Sequence, residues 1–202
     1  GRLAQGLRSE GTLGSEAQER ALSCLERFGE RLQGIPADRV RAVGTNTLRQ
    51  AKRSPGFKGA ARRALGHPIE VISGLEEARL IFLGVAHTAP PSPERRLVVD
   101  IGGGSTELIL GHGFEVGLGS SLYMGCVGFS EAHFVQGEIT REAFRRAQTA
   151  AAQELQSIAD RYRNEGWDSA IGASGTVNAI AQILREMQLT DGNIDYEALK
   201  KL

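Results

Sequence analysis

A glycine-rich turn between two apolar runs is the part of this chain best suited to chemistry. Residues 97–110 read LVVDIGGGSTELIL, so one apolar run ends near Asp100 and another begins after three glycines. Two such runs around a glycine turn predict a β-hairpin. Glycine permits positive φ and lets backbone N–H groups crowd around an anion. We therefore interpret Gly102, Gly103 and Gly104 as a phosphate-binding turn.

Polar residues beside the turn extend this interpretation. Ser105 and Thr106 offer hydroxyl groups, and Asp100 and Glu107 offer carboxylates suited to a divalent cation. A Walker A loop is excluded, because no lysine follows the glycines. A Rossmann fingerprint is excluded too, because these glycines precede a predicted strand rather than a helix. A purely structural hairpin is the alternative.

Two further polar loops follow predicted strands in the first half of the chain. Thr45, Asn46 and Arg49 lie where the N–H groups of a first helical turn and a guanidinium suit a phosphate. An ordinary helix cap with a solvated arginine explains them equally well. Glu76 and Glu77 begin a later helix, where either one can deprotonate an attacking water or simply complement the helix dipole.

A last loop, GASGT at residues 172–176, lies between a predicted strand and a predicted helix. Gly175 and Thr176 in this loop cradle a second phosphate or a nucleoside, or else permit close packing of the helix on the strand. In an α/β fold the carboxyl ends of parallel strands meet at one edge of the sheet. We therefore expect several of these loops to converge.

The elements that must position these loops alternate between strand and helix, which predicts an α/β fold. The first predicted helix follows Ser15 and Gln18, which read as a capping box. Phe57 to Leu65 is predicted to be helical, as is a long amphipathic stretch from Arg141 to Arg163. Three of the six prolines lie in residues 88–95, and this segment is the predicted domain boundary.

Composition narrows the classes of function. The 24 basic and 24 acidic residues balance to zero net charge, which argues against nucleic-acid binding while leaving local patches open. Cys24, Cys126 and the four histidines show no zinc-site spacing, and both thiols are expected to be buried. No apolar run reaches membrane-spanning length and no signal-peptide pattern is present, so we expect a cytoplasmic protein.

Five segments in order resemble those of the exopolyphosphatase and guanosine-pentaphosphate phosphohydrolase family, within the actin-like phosphotransferase superfamily. They are GTNTLR at 44–49, ISGLEEAR at 72–79, VDIGGGSTE at 99–107, MGCV at 124–127 and GASGT at 172–176. The similarity runs from about Leu13 to Leu202. It implies two ribonuclease-H-like lobes, residues 1–93 and 94–202, with an interlobe cleft between them.

The resemblance also implies an activity and residue roles. The activity is Mg²⁺-dependent removal of the terminal phosphate of inorganic polyphosphate or of the 5′ terminal phosphate of guanosine pentaphosphate. Glu77 matches the catalytic base, with Glu76 less favoured, and Asp100 and Glu107 match the metal- and water-organising acids. Arg49 matches a contact to the substrate phosphate. The turn from Gly102 to Thr106 matches the family's second phosphate loop.

The family's first phosphate loop has no counterpart before Leu13, and no C-terminal helical region follows. We therefore expect an N-terminally truncated first lobe and an incomplete second lobe, and a protein limited to these residues should be inactive. For the full-length protein the expectations are a homodimer, no nucleic-acid partner and a cytoplasmic location that leaves peripheral membrane association open. Exopolyphosphatase is the favoured function. The alternatives are a guanosine pentaphosphate hydrolase, a sugar kinase of the same fold and a non-catalytic guanosine tetra- or pentaphosphate sensor.

Overall fold

A computed structural model describes residues 3–8 and 10–202, which divide into two compact units. The first unit ends at Glu77 and the second begins at Ala78, inside the helix Gly74–Thr88. The sequence instead predicted a boundary after residue 93. The compact units divide earlier because Ala78 and Phe82 of this helix already pack in the core of the second unit.

The first unit surrounds a short parallel sheet. Its helices are α1 (Ser15–Arg31), α2 (Asn46–Gln50), α3 (Phe57–Leu65) and the start of α4 (Gly74–Thr88), and its strands are β1 (Ala42–Gly44) and β2 (Ile69–Val71). Short 3-10 turns cover Leu3–Gly6 and Ala37–Arg39. Leu13, Ala51 and Phe57 form a buried cluster. The sequence predicted the bounds of α3 correctly.

The start of α1 differs from the prediction. Ser15 is already the first helical residue and Gly14 occupies the N-cap, so the predicted capping box does not form. Gln18 instead donates from Nε2 to the Leu13 carbonyl at 2.7 Å. The helix then packs on α3 at Gly29, where a Cβ would lie 2.7 Å from the Ala64 carbonyl oxygen. A larger residue at this position would push the two helices apart.

The second unit contains a mixed sheet in the order β5-β4-β3-β6. The strands are β3 (Arg95–Ile101), β4 (Thr106–His112), β5 (Glu115–Leu122) and β6 (Ser169–Gly172). The helices are α5 (Cys126–His133), α6 (Arg141–Glu165), α7 (Gly175–Glu186) and α8 (Tyr196–Leu199), with a 3-10 turn at Val135–Gly137. Strands β3 and β4 form the predicted antiparallel hairpin, while β3 and β6 run parallel.

Apolar side chains cover both faces of this sheet. Val98 and Ile109 pack with Ala78 and Phe82 of α4 on one face. Leu97, Leu110 and Leu118 pack with Tyr162 of α6 on the other face. Burial on both sides explains why β3 and β4 read as nearly continuous apolar runs rather than as alternating ones. Side chains alternate along a strand, so Asp100 and Glu107 continue the face that α4 covers.

These elements confirm the predicted α/β class. The prediction for the thiols was wrong at Cys126, which is exposed because it begins α5 at the end of a connecting segment, while Cys24 is partly buried. Across the described residues, the helices lack the combination of length and apolar character needed to cross a membrane.

Candidate functional site

Gly44, the last residue of β1, lies directly against the side chain of Leu48 in α2. A Cβ on Gly44 would lie 2.3 Å from Cδ1 of Leu48, so glycine lets Leu48 fold back against the strand end. Thr45 is the extended N-cap of α2, is exposed and makes no side-chain capping bond. Asn46 is buried, and its Oδ1 accepts a hydrogen bond from Gln50 at 3.0 Å. Thr45 therefore presents its side chain to solvent, while Asn46 is held inside.

Arg49 joins α2 to the start of α4 and to the residue after β2. Its Nη1 donates to the Ile72 carbonyl at 2.9 Å and to Oε2 of Glu77 at 2.8 Å. The exposed fractions of the Arg49 and Glu77 side chains are 22% and 14%. A charge-assisted contact in such a partly buried setting orients both groups. The structure thus brings together the predicted phosphate contact and the predicted base.

Glu76 and Glu77 have different partners although they are neighbours. Ser73 precedes α4 and accepts a hydrogen bond on Oγ from the Glu76 backbone N–H at 3.1 Å. Glu76 lies 3.4 Å from Nη2 of Arg41, which also binds Glu70. Hydrogen bonding and charge attraction to Glu70 raise the pKa of Arg41 above its ordinary value. Successive helical side chains point about 100° apart, which is why the two acids separate.

The glycine turn of the second unit is supported from one side by the start of α5. The backbone N–H of Cys126 donates to the Gly102 carbonyl at 2.9 Å, and those of Val127 and Gly128 donate to the Gly103 carbonyl at 2.9 and 3.1 Å. In a trans peptide the C=O and the following N–H point in opposite directions. The N–H groups of the peptides 102–103 and 103–104 therefore point away from α5.

Gly125 makes this support possible. A Cβ at Gly125 would lie 2.5 Å from the Gly104 nitrogen and 2.6 Å from the Gly103 carbonyl carbon. The sequence analysis matched MGCV at 124–127 to the family but predicted no role for Gly125. Its position between a predicted strand and a predicted helix was the one feature of the sequence that could have indicated a close backbone contact.

The three glycines of the turn also predict positive φ there. Among the described residues, the glycines with positive φ lie elsewhere, so that prediction was wrong. A Cβ on Gly102 would lie 3.1 Å from the Ser105 carbonyl oxygen, so close packing is what favours glycine at that position.

Ser105 and Thr106 are both buried and help to close the turn. The Ser105 carbonyl accepts a hydrogen bond from Gly102 N–H at 2.9 Å. The Thr106 hydroxyl donates to the Met124 carbonyl at 2.6 Å. Because that proton is already donated, Thr106 holds the turn in place, and phosphate contacts from Ser105 and Thr106 stay predictions.

Asp100 and Glu107 are directly opposite each other in the β3–β4 ladder, and Glu107 is opposite Ser121 in the β4–β5 ladder. Glu107 is only 1% exposed, and its Oε1 accepts a hydrogen bond from Ser121 at 2.7 Å. Magnesium binds proteins through one or two carboxylates and takes its other ligands from water and substrate phosphate. This pair of acids fits such an ion. Within residues 3–8 and 10–202, no three acidic, histidine or cysteine side chains gather as a metal-binding group.

The loop before α7 meets the end of β3. Ser174 is the N-cap of α7, and its Oγ accepts hydrogen bonds from Val177 N–H at 3.3 Å and from Ile101 N–H at 3.2 Å. This contact brings Gly175 and Thr176, the first two residues of α7, to the sheet edge where the glycine turn begins. The expected convergence of these two loops is therefore confirmed within the second unit.

Comparisons with known proteins agree with this arrangement. The chain resembles a solved exopolyphosphatase-like protein, with 30% identity over 92% of this chain and a TM-score of 0.83. It resembles the Aquifex aeolicus PPX-GPPA enzyme, with 29% identity over 98% of this chain and a TM-score of 0.73. It also resembles an exopolyphosphatase from Cytophaga hutchinsonii, with 26% identity over 96% of this chain and a TM-score of 0.82.

The chain spans 58%, 67% and 62% of the length of these three proteins, respectively. The TM-scores support the α/β fold expected from the resemblance. The model of the Ppx/GppA phosphatase family matches residues 1–202. This match covers the whole sequence, and the chain therefore belongs to the Ppx/GppA phosphatase family.

Proposed function

We propose that the full-length protein is an exopolyphosphatase, which hydrolyses the terminal phosphate of inorganic polyphosphate by in-line attack of water. The observation that carries the proposal is the orientation of the glycine turn. The Gly102 and Gly103 carbonyls accept hydrogen bonds from α5, so the following N–H groups point the opposite way. Such N–H groups are suited to the charge that spreads over phosphate oxygens in the transition state.

Glu77 is the proposed base, which orients and deprotonates the attacking water. Its contact with Arg49 holds the carboxylate in one direction. The two contacts of Arg49 in this unit both use Nη1, and a guanidinium carries three more N–H donors on Nε and Nη2. These donors are what Arg49 offers to a phosphate. Thr45, the exposed N-cap of the same short helix, offers a hydroxyl.

The second unit supplies the other proposed contacts. The turn at Gly102, Gly103 and Gly104 holds the transferred phosphate, and the first-turn N–H groups at Gly175 and Thr176 bind a neighbouring one. Asp100 and Glu107 would hold Mg²⁺, which neutralises charge on phosphate oxygens when it is bound. Ser121 keeps Glu107 in place through its hydrogen bond.

The test is phosphate release by the full-length protein, with polyphosphate and guanosine pentaphosphate as parallel substrates, with and without Mg²⁺. We expect Mg²⁺-dependent release with a higher kcat/KM for polyphosphate. Release from guanosine pentaphosphate alone would assign the other substrate. Phosphate transfer from ATP to a sugar hydroxyl would indicate a kinase, and tight nucleotide binding without turnover, measured by calorimetry, would indicate a sensor.

A further inference from the structure

A long acid-free stretch of the first unit concentrates positive charge in a protein whose net charge is zero. Residues 39–69 contain eight lysines and arginines and no aspartate or glutamate. Arg41 and Arg49 in this stretch form ion pairs with glutamates. The other six are exposed and take part in no salt bridge within the described residues. Arg39 stands apart, before β1, and we call the remaining five the α3 basic patch: Lys52, Arg53, Lys58, Arg62 and Arg63.

The stability of α3 does not account for this patch. Arg62 and Arg63 lie in the last turn, where cations complement the helix dipole. Lys58 is the second residue of α3, at the end where the dipole disfavours a cation, and the first turn contains no acid. Lys58 and Arg62 are also four residues apart, so two like charges are neighbours on the helix surface. A polyanion bound across them would relieve both conflicts.

The fold places this patch on the solvent side of the unit, and its first two cations follow Arg49 closely along the chain. Phe57, Ala61 and Leu65 form the buried face of α3, which leaves Lys58 and Arg62 on exposed positions. Arg53 is anchored by its backbone N–H, which donates to the Gly11 carbonyl at 2.9 Å. The four residues from Arg49 to Arg53 span at most about 14 Å of extended chain. The cations of the patch therefore begin near the arginine proposed to contact the substrate.

We propose that the α3 basic patch binds the part of an inorganic polyphosphate chain that extends beyond its terminal phosphates. This inference rests on the proposed function and adds a determinant of chain length to it. Repeated phosphates along one chain match repeated cations along one surface, and their attraction weakens as salt increases. A short substrate, or one that ends in a nucleoside, offers no such repeat.

The test compares two double variants of the full-length protein. Lys58→Gln/Arg62→Gln removes charge from the patch, and Arg145→Gln/Arg161→Gln removes the same number of exposed charges from α6 as a matched control. Values of kcat and KM are measured with long-chain polyphosphate and with tripolyphosphate over a range of salt concentrations. Circular dichroism checks that both variants are folded.

For the patch variant we expect the KM for long-chain polyphosphate to rise about tenfold. The slope of log KM against log salt concentration should be smaller than in the wild type by about two, because each lost phosphate contact lowers the slope by about one. The values for tripolyphosphate and the kcat should not change, and the control variant should behave like the wild type. An unchanged KM for the long chain, or an equal rise for tripolyphosphate, would overturn the proposal.

Two further measurements distinguish polyphosphate binding at the patch from turnover and from nucleic-acid binding. Titration of long-chain polyphosphate in EDTA measures binding without turnover. Binding that depends on the patch, in a protein that releases no phosphate, would support this inference and reject the proposed function. Competition by a single-stranded oligonucleotide as effective as polyphosphate would identify a nucleic-acid surface and overturn the inference.

Discussion

Nη1 of Arg49 lies 2.8 Å from Oε2 of Glu77, and this ion pair connects the short helix α2 with the first turn of α4. The same nitrogen also donates to the Ile72 carbonyl at 2.9 Å. One guanidinium thus fixes the position of the carboxylate relative to the end of β2. The relationship is informative because resemblance to the family assigns separate roles to these residues, and the fold makes their orientations depend on each other.

Replacing Glu77 with glutamine tests the assignment of the base. The amide oxygen can still accept a hydrogen bond from Arg49, so the fold should persist, but an amide cannot take a proton from water. We expect kcat for phosphate release to fall by a factor of about 10² to 10⁴. Glu76→Gln is the adjacent control and should retain most activity. Full turnover by the Glu77 variant in a steady-state assay would refute the assignment.

Gly125→Ala tests the support of the glycine turn. The added methyl group would lie 2.5 Å from the Gly104 nitrogen, so the turn must move. We expect kcat/KM for phosphate release to fall at least about tenfold, because a displaced set of N–H donors no longer fits the transition state.

Gly128→Ala is the matched control for this experiment. The backbone N–H of Gly128 donates to the Gly103 carbonyl, so Gly128 also supports the turn. A Cβ on Gly128 would meet no other heavy atom within 4 Å. Alanine should raise helix stability by up to about 1 kcal/mol and leave activity near the wild-type value. Equal kinetics for the two variants, compared alongside their thermal unfolding, would mean that the contact at Gly125 is unimportant.

Ser121→Ala tests whether the hydrogen bond to Glu107 matters for the proposed cation site. Loss of a side chain that orients a metal-binding carboxylate typically lowers the affinity for the metal by about 10- to 100-fold. We therefore expect the Mg²⁺ concentration for half-maximal phosphate release to rise at least about tenfold. Ser120 is the adjacent control, because successive strand residues face opposite sides of the sheet and Ser120 lies on the face of Leu118 and Tyr162. If both alanine variants show the wild-type Mg²⁺ dependence, Ser121 has no such role.

Tyr162→Phe tests the packing of α6 on the sheet through pH dependence. Burial raises the pKa of Tyr162 above its ordinary value of 10.0, and its hydroxyl donates to the Leu108 carbonyl at 2.6 Å. The folded protein therefore keeps this proton at a pH where the unfolded chain has lost it. This contribution to stability is fully present below pH 10 and declines as the pH rises through the raised pKa.

We expect Tyr162→Phe to lower the free energy of unfolding by about 1 kcal/mol at neutral pH, through loss of the hydrogen bond. The difference from the wild type should shrink above pH 10, since only the wild type loses stability by this route. Urea unfolding at neutral and alkaline pH measures both values. A difference that stays constant across this range would exclude the linkage to Tyr162.

Much of the fold could be predicted from local patterns. The apolar runs on both sides of Gly102–Gly104 determine the β3–β4 hairpin, and the spacing of Phe57, Ala61 and Leu65 determines the buried face of α3. Such patterns depend on the few residues that are neighbours along a strand or a helix. The capping box failed for the complementary reason, because a one-residue shift at the start of α1 moved Ser15 out of the capping position.

By itself the sequence determined the α/β class, the family and the composition of each polar loop, since these depend on residue order and local spacing. Tertiary structure alone decided that Arg49 pairs with Glu77, that Gly125 packs against Gly103 and Gly104, and that Ser121 holds the buried Glu107. Each of these contacts joins residues that are well separated along the chain. Their distances are set by how strands and helices pack, and no local pattern records that packing.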